Sequence, residues 1–254
     1  MGFTMSNDYF KFQQFTVRQG VCAMKVGTDG VLLGAWAAGG RQILDIGTGT
    51  GLIALMMAQR FPDARVTGID IDDVACRQAM ENVSDSPFSE RIEIEHVGAL
   101  DFMREKGGGA LVEGHGQTAF FDSIVSNPPY FNHSLKNPDM ARRTARHTDT
   151  LTYADLFKAV SRLLTDDGVF SSIIPFDCLA DFQDEARLAG LFQTRICAVR
   201  TTPQKAPRRY LLAFAKHPVL ELERTEAVLE GENHRRSEWY ENLTSGFYLK
   251  PSQG

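Results

Sequence analysis

The chain predicts an open α/β fold: a seven-stranded, mostly parallel sheet with helices on both faces, closed by a C-terminal antiparallel hairpin. Three features point to it. Short β-branched runs alternate with helical patterns, a glycine-rich turn follows one of the earliest runs, and two strand patterns near the C-terminus flank a turn rich in Pro, Lys and Arg. Residues 42–46 read as a buried strand ending in the glycine turn, and 50–60 as a helix stopped by Pro62. Residues 65–69 and 72–82 repeat the strand and helix. Residues 91–97 alternate apolar and polar with period two, a third strand. Residues 120–125 are a fourth strand that runs into Asn127, Pro128, Pro129 and Tyr130. Over 151–164, Leu156, Phe157, Val160, Leu163 and Leu164 share one helical face. Asp166, Asp167 and Gly168 turn into a fifth strand over 169–174, followed by a helix over 178–189 and by hairpin strands over 192–199 and 210–215.

Composition excludes several classes of protein. With 254 residues, 43% hydrophobic and 23% charged, the chain can bury a full core and is neither disordered nor fibrous. Its 27 Lys and Arg stand against 32 Asp and Glu, so a strongly basic chromatin-type binder is excluded while a local basic face is not. Cys22, Cys76, Cys178 and Cys197 have neither metal-ligand nor disulfide-framework spacing, and are expected to be reduced and mostly buried, with no metal. Neither a signal peptide nor an apolar run of the roughly 18–20 residues that spans a membrane is seen, which predicts a cytoplasmic protein.

The glycine turn carries the first chemical signal. Asp45, Gly47, Gly49 and Gly51 form an acid-x-Gly-x-Gly-x-Gly pattern between a strand and a helix. Leu52 stands where a dinucleotide fingerprint would place its third glycine, and no Gly-Lys-Ser/Thr follows for a phosphate loop. The remaining reading is the first turn of an S-adenosylmethionine (AdoMet) site. Asp70, at the end of the second strand, is placed to accept bonds from two ribose hydroxyls, with Ile71 packing on adenine. Asp101 lies near the third strand's end as an adenine contact or as an acid at a helix N-terminus.

The second signal is the corner Asn127-Pro128-Pro129-Tyr130. A planar amino nitrogen is a poor nucleophile because its lone pair is delocalised. The Asn127 side-chain oxygen and the Pro128 carbonyl can take its two N–H groups and localise that pair, the prolines stiffen the turn, and Tyr130 offers a face for an extruded base. Adenine N6, cytosine N4, guanine N2 and a glutamine amide all meet this description.

With these motifs the chain resembles class I AdoMet-dependent methyltransferases with a Rossmann-like sheet. More closely it is similar to the bacterial tRNA1(Val) (adenine(37)-N6)-methyltransferase family. The resemblance rests on the segments 12–15 and 22–36, on 44–52, on 126–130 and on Ala145, Arg146 and His147, and it extends to Phe247 and Tyr248. The chain is expected to be a monomer of one domain over 1–254, with about 1–40 covering the cofactor and 41–254 forming the catalytic sheet, and the resemblance implies a tRNA substrate. It also implies a loop from Lys25 to Asp29 over the methionine end of AdoMet, where Thr28 meets the carboxylate and Asp29 the ammonium; a helix N-cap is the other reading of Asp29. Two departures stand out: a glycine-rich insertion over 107–116, and Ala99 where the family's adenine contact carries an acid. Arg142, Arg143 and Arg146, with Lys205, Arg208 and Arg209, are the expected grips on RNA phosphates. The competing readings are a glutamine-N5 protein methyltransferase and a non-catalytic AdoMet- or RNA-binding module.

Overall fold

The computed structural model describes residues 8–20, 25–107, 120–129, 151–231 and 235–249. Its centre is an eight-stranded sheet built from β3 (Gln42–Ile46), β4 (Arg65–Asp70), β5 (Ile92–His96), β6 (Phe121–Ser126), β7 (Leu164–Pro175), β8 (Phe192–Arg200), β9 (Arg209–Ala215) and β10 (Glu223–Val228). The strand order is β10-β8-β9-β7-β6-β3-β4-β5. Strands β3 to β7 pair in parallel, whereas β9 is antiparallel to both β7 and β8. A small hairpin, β1 (Tyr9–Lys11) with β2 (Thr16–Arg18), lies outside this sheet.

The expectation of seven strands is corrected by β10, which pairs in parallel with β8 at the sheet edge. Its sequence, ERTEAV, is half charged and mostly exposed, so it carries no hydrophobic alternation and is held by its main-chain ladder. The β1–β2 hairpin escapes sequence reading for another reason: three residues per strand are too few to show a period. The fifth strand is also longer than expected, because β7 begins at Leu164 and absorbs Asp166, Asp167 and Gly168 across a register shift against β6.

Helices cover both faces. On one lie α1 (Thr28–Trp36), α2 (Leu52–Arg60) and α3 (Asp73–Ser84), with Ile43 and Ile173 of the sheet packed among their apolar residues. On the other lie α4 (Ala99–Gly107), α5 (Tyr153–Leu163) and α6 (Leu179–Leu188), over Leu44, Ile46, Phe170 and Ile174. The alternation of Ile43 with Leu44, and of Ile173 with Ile174, is the period-two pleat feeding two cores. On this second face Phe157 meets Phe170, Phe182 and Phe214 edge to face. A short helix, α7 (Glu238–Thr244), follows β10, and Gln13 ties the N-terminal hairpin to the segment after it through bonds to the Ser245 and Tyr248 carbonyls.

Helix α1 is set by close approach to α2. A Cβ on Gly30 would stand 2.9 Å from Leu52 Cδ2, and one on Gly34 would stand 2.7 Å from Met56 Sδ and 2.9 Å from its Cβ. Arg60 then donates to the Gly34 and Ala37 carbonyls, closing the end of α1. In Gly34→Ala the gain in helix propensity is about 1 kcal/mol, against about 1–3 kcal/mol for overpacking. The variant is therefore expected to lose about 1 kcal/mol, read as a lower urea midpoint at unchanged m-value.

Candidate active site at the carboxyl edge of the sheet

The carboxyl ends of β3, β4, β5 and β6 converge on one edge. After β3 the chain turns through Gly47, Gly49 and Gly51 with φ of 74°, 56° and 79°. That left-handed region disfavours side chains, so the backbone itself requires glycine here. Gly47 and Thr48 donate to the Ile69 carbonyl, 2.9 and 3.0 Å, which moors the turn to β4. A Cβ built on Gly47 or Gly49 would meet nothing within 4 Å. The outer side of the turn is thus an open cradle where a ligand can lie against the main chain.

Two carboxylates hold this cradle. Asp45 is fully buried and accepts the Thr48 hydroxyl at 2.7 Å; burial first, then the nearby Asp70 charge, pushes its carboxyl up to about 7. Asp70 accepts from the Gly49 amide at 2.9 Å and from the Asp72 amide at 3.0 Å, one bond to each oxygen. A carboxylate has about four acceptor sites, so Asp70 retains capacity for two ligand hydroxyls. It does not cap α3: Asp72 does, accepting from Val74 and Ala75. Asn82 is a site-supporting residue with no sequence signal. Buried within α3, it donates to the Thr50 and Arg18 carbonyls and accepts from the Arg18 amide, joining the turn to the N-terminal hairpin.

Beside Asp70, Ile71 is 52% exposed. Its Cδ1 and the Asp101 Oδ2 lie 3.6 and 3.9 Å from where a Cβ on Gly98 would stand, so both side chains border one spot. Asp101 sits in the first turn of α4, paired with Arg104 at 2.5 Å. Ala99 has gone the other way: it is buried in the core with Leu44, Ile46 and Ile69. An acid in that orientation would face apolar side chains, which accounts for the alanine.

Helix α1 begins at Thr28, with Gly27 as its N-cap and no side-chain cap. The N-cap reading of Asp29 is therefore set aside. Asp29 is in the first turn and forms a half-buried ion pair with Arg209 of β9, Oδ1 to Nε 2.9 Å. Lys25 and Thr28 are exposed just ahead of it.

Next to the glycine turn stands the Asn-Pro-Pro corner. Ile46 of β3 is in register with Ser126 of β6, so Gly47 and Asn127 leave adjacent parallel strands side by side. Neighbouring strands lie about 4.8 Å apart. Ser126 donates to the Ile46 carbonyl and Ser172 to the Ser126 carbonyl, both 2.8 Å and both buried, which fixes the last residue before the corner. Pro128 is buried and Asn127 half-buried. Tyr130, Arg142, Arg143 and Arg146 lie outside the described residues, as does most of the glycine-rich insertion.

The basic stretch from Arg195 to Lys216 is not a uniform surface. Its lack of local acids is offset by distant ones: Arg195 pairs with Glu223, Arg200 with Glu226, Arg209 with Asp29, and Lys216 with Asp166. Arg209 is thus taken up by Asp29 rather than presented outward, a pairing invisible in sequence because 180 positions separate the two. Lys205 and Arg208 are exposed, and neither forms an ion pair among the described residues. They belong to the loop between β8 and β9. Because Pro175 pairs with Arg209, and β7 runs parallel to β6, this loop projects from the same edge as the corner.

Among the described residues no cluster of three or more His, Cys, Asp or Glu could hold a metal ion, and no helix is long and apolar enough to cross a membrane. Cys76, Cys178 and Cys197 are buried free thiols.

Comparison with known proteins gives a consistent picture. The family model described as methyltransferase small domain matches residues 25–173. A Phocaeicola vulgatus protein named tRNA1(Val) (adenine(37)-N6)-methyltransferase is 48% identical over 96% of this chain and 99% of its own length. One of the same name from Bacteroides fragilis is 46% identical over 97% and 100%. Among solved structures, a predicted O-methyltransferase from Agrobacterium tumefaciens aligns with TM-score 0.64 at 20% identity, covering 89% of this chain and all of that one.

The state of Asp45 has a measurable consequence. Between its ordinary value near 3.8 and about 7, the folded chain keeps a proton that the unfolded chain releases, so this group lowers stability as pH rises across that window. Asp45→Asn retains an acceptor for Thr48 without the charge. Its unfolding free energy, plotted against pH, is expected to fall less between pH 4 and 7 than that of the parent protein.

Proposed function

The chain belongs to the bacterial tRNA1(Val) (adenine(37)-N6)-methyltransferase family, and from that membership we propose that it methylates the exocyclic N6 of adenine in tRNA, at adenine 37 of tRNA1(Val), with AdoMet as donor. The observation that carries the reading is the register of Ile46 with Ser126, which sets the open glycine cradle beside the Asn-Pro-Pro corner.

The proposed roles follow from the atoms available. Gly47, Gly49 and Gly51 admit the cofactor against the main chain, with Asp45 and Thr48 bracing the turn from beneath. Asp70 holds the ribose, Ile71 packs on the adenine ring, and Asp101 is placed to accept from its amino group. Lys25 and Thr28 line the approach to the methionine end. Bound AdoMet supplies a methyl group on a sulfonium, a strong electrophile that needs an attacking lone pair in line with its C–S bond. The Asn127 side-chain oxygen and the Pro128 carbonyl take the two N6 hydrogens, and so direct that pair towards the methyl. Pro128 and Pro129 limit the corner's freedom and bring no competing N–H. By its place in the motif, Tyr130 stacks the target base. The product nitrogen is acidic and can release its extra proton to water, so catalysis is positioning plus acceptor electrostatics. Asp29 is proposed to serve the site through its Arg209 pair, which ties the start of α1 to the hairpin. The remaining RNA grips are Arg142, Arg143, Arg146, Lys205 and Arg208.

The deciding experiment supplies purified protein and AdoMet with either total tRNA or total protein, and analyses the products by mass spectrometry. N6-methyladenosine in tRNA supports the reading; methyl on glutamine amides, or binding without transfer, replaces it. Asn127→Ala is expected to lower kcat by about 10²–10³, as for loss of one transition-state hydrogen bond, while AdoMet affinity holds. Lys205→Ala combined with Arg208→Ala is expected to weaken tRNA binding and reduce the slope of log K against log salt by about 2, measured by filter binding across a salt series.

A further inference from the structure

Most exposed apolar side chains of the sheet region lie away from the site. Phe192 is at the start of β8, and Leu188 ends the helix leading to it; both belong to the edge opposite the corner. Phe176 is different. It directly follows β7 on the same edge as Asn127, and is 48% exposed. Its ring stacks on Tyr210 of β9, with centroids 5.8 Å apart and planes 25° from parallel. The pair is fixed by the main chain: the Phe176 amide donates to the Arg208 carbonyl at 3.0 Å, and Tyr210 pairs with Ile174 in β7 and with Ala198 in β8. A lone exposed Phe needs no explanation, but a braced aromatic stack beside two exposed cations is a different object.

Its position relative to the corner follows from register. Ser172 pairs with Ser126, so β7 continues three residues past the end of β6, about 10 Å at the rise of a strand. The Phe176–Tyr210 stack therefore forms a wall one strand over from Asn127 and above it. The loop carrying Lys205 and Arg208 rises from the same wall, and Asp177 is the exposed acid next to Phe176 in the chain.

We propose that the Phe176–Tyr210 stack receives an unstacked nucleobase flanking the target adenine, while Lys205 and Arg208 take the adjoining phosphates. This rests on the reading of the protein as a tRNA methyltransferase and adds to it a second base-binding position. The face of Phe176 turned to solvent is a flat apolar surface already braced from behind, so stacking a base there orders little else. Extruding one nucleotide for chemistry leaves its neighbour without a stacking partner, and an aromatic face restores that contact.

The test uses tRNA carrying 2-aminopurine at the nucleotide on either side of the target adenine. Binding to the parent protein should quench the fluorescence at one of the two positions. Phe176→Ala should abolish that quenching and weaken tRNA binding by about 5- to 100-fold, the range for loss of one base–aromatic stack. Phe176→Trp should keep both, and AdoMet affinity should be the same in all three proteins, which separates a lost contact from a damaged fold. Unchanged tRNA affinity and quenching in Phe176→Ala, in a preparation whose parent protein methylates tRNA, overturns the stacking role alone. A parent protein that neither binds nor methylates tRNA overturns the underlying functional reading and this role with it.

Discussion

The main-chain ladder between β3 and β6 is the contact on which the rest of the site depends. Because the two strands are parallel and pair Ile46 with Ser126, their next residues, Gly47 and Asn127, emerge together at one edge. A slip of β6 by one residue would turn Ile124 out of the core it shares with Leu44 and swing the corner away from the cradle. The register is reinforced by the bonds from Ser126 to Ile46 and from Ser172 to Ser126. Buried hydroxyls in a sheet are costly without partners, so this short chain of bonds also resists alternative pairings.

Around that centre, elements distant in the chain are bound to one another rather than left as appendages. Close helix contact at Gly30 and Gly34 seats α1 on α2, and the Asp29–Arg209 pair joins its first turn to the terminal hairpin of the sheet. Arg91 donates to the carbonyls of Ala58, Phe61 and Ala64, closing α2 at the end away from the glycine turn. At the N-terminus, Phe12 stacks with Phe15 and with Tyr248, and Arg236 lies 4.1 Å from the Tyr248 ring centroid. The open glycine turn, the Asn-Pro-Pro corner and the loop with Lys205 and Arg208 are thus carried by one sheet and the helices packed on it.

Charge shows why net totals are a poor guide to partners. The protein is acidic overall, and most cations between Arg195 and Lys216 are matched by carboxylates from other elements. Lys205 and Arg208 differ: they sit in the loop beyond Arg200, the last β8 residue paired with β10, and among the described residues no carboxylate pairs with them. Two exposed cations on one loop are thus a local positive feature that the net charge of the whole chain conceals.

Much of the fold was legible from local pattern. Strand and helix periods located β3 to β9 and the main segments of α2, α3, α5 and α6, because buried elements must present apolar residues at fixed intervals. The edge strand β10 and the three-residue strands β1 and β2 were not, since main-chain ladders and neighbouring surfaces hold them and leave little trace in residue type. Within the site, Asp45, the three glycines and Asp70 were readable because each is demanded by its own backbone turn or by its own strand end. Which groups those residues meet was decided only by tertiary packing: Asp29 with Arg209, Asn82 with Thr50, Ala99 turned into the core, and Phe176 laid on Tyr210. Dihedral and periodicity constraints act over a few residues and so are written in the chain, whereas a pairing across tens of positions or more is set by where the fold brings distant elements together.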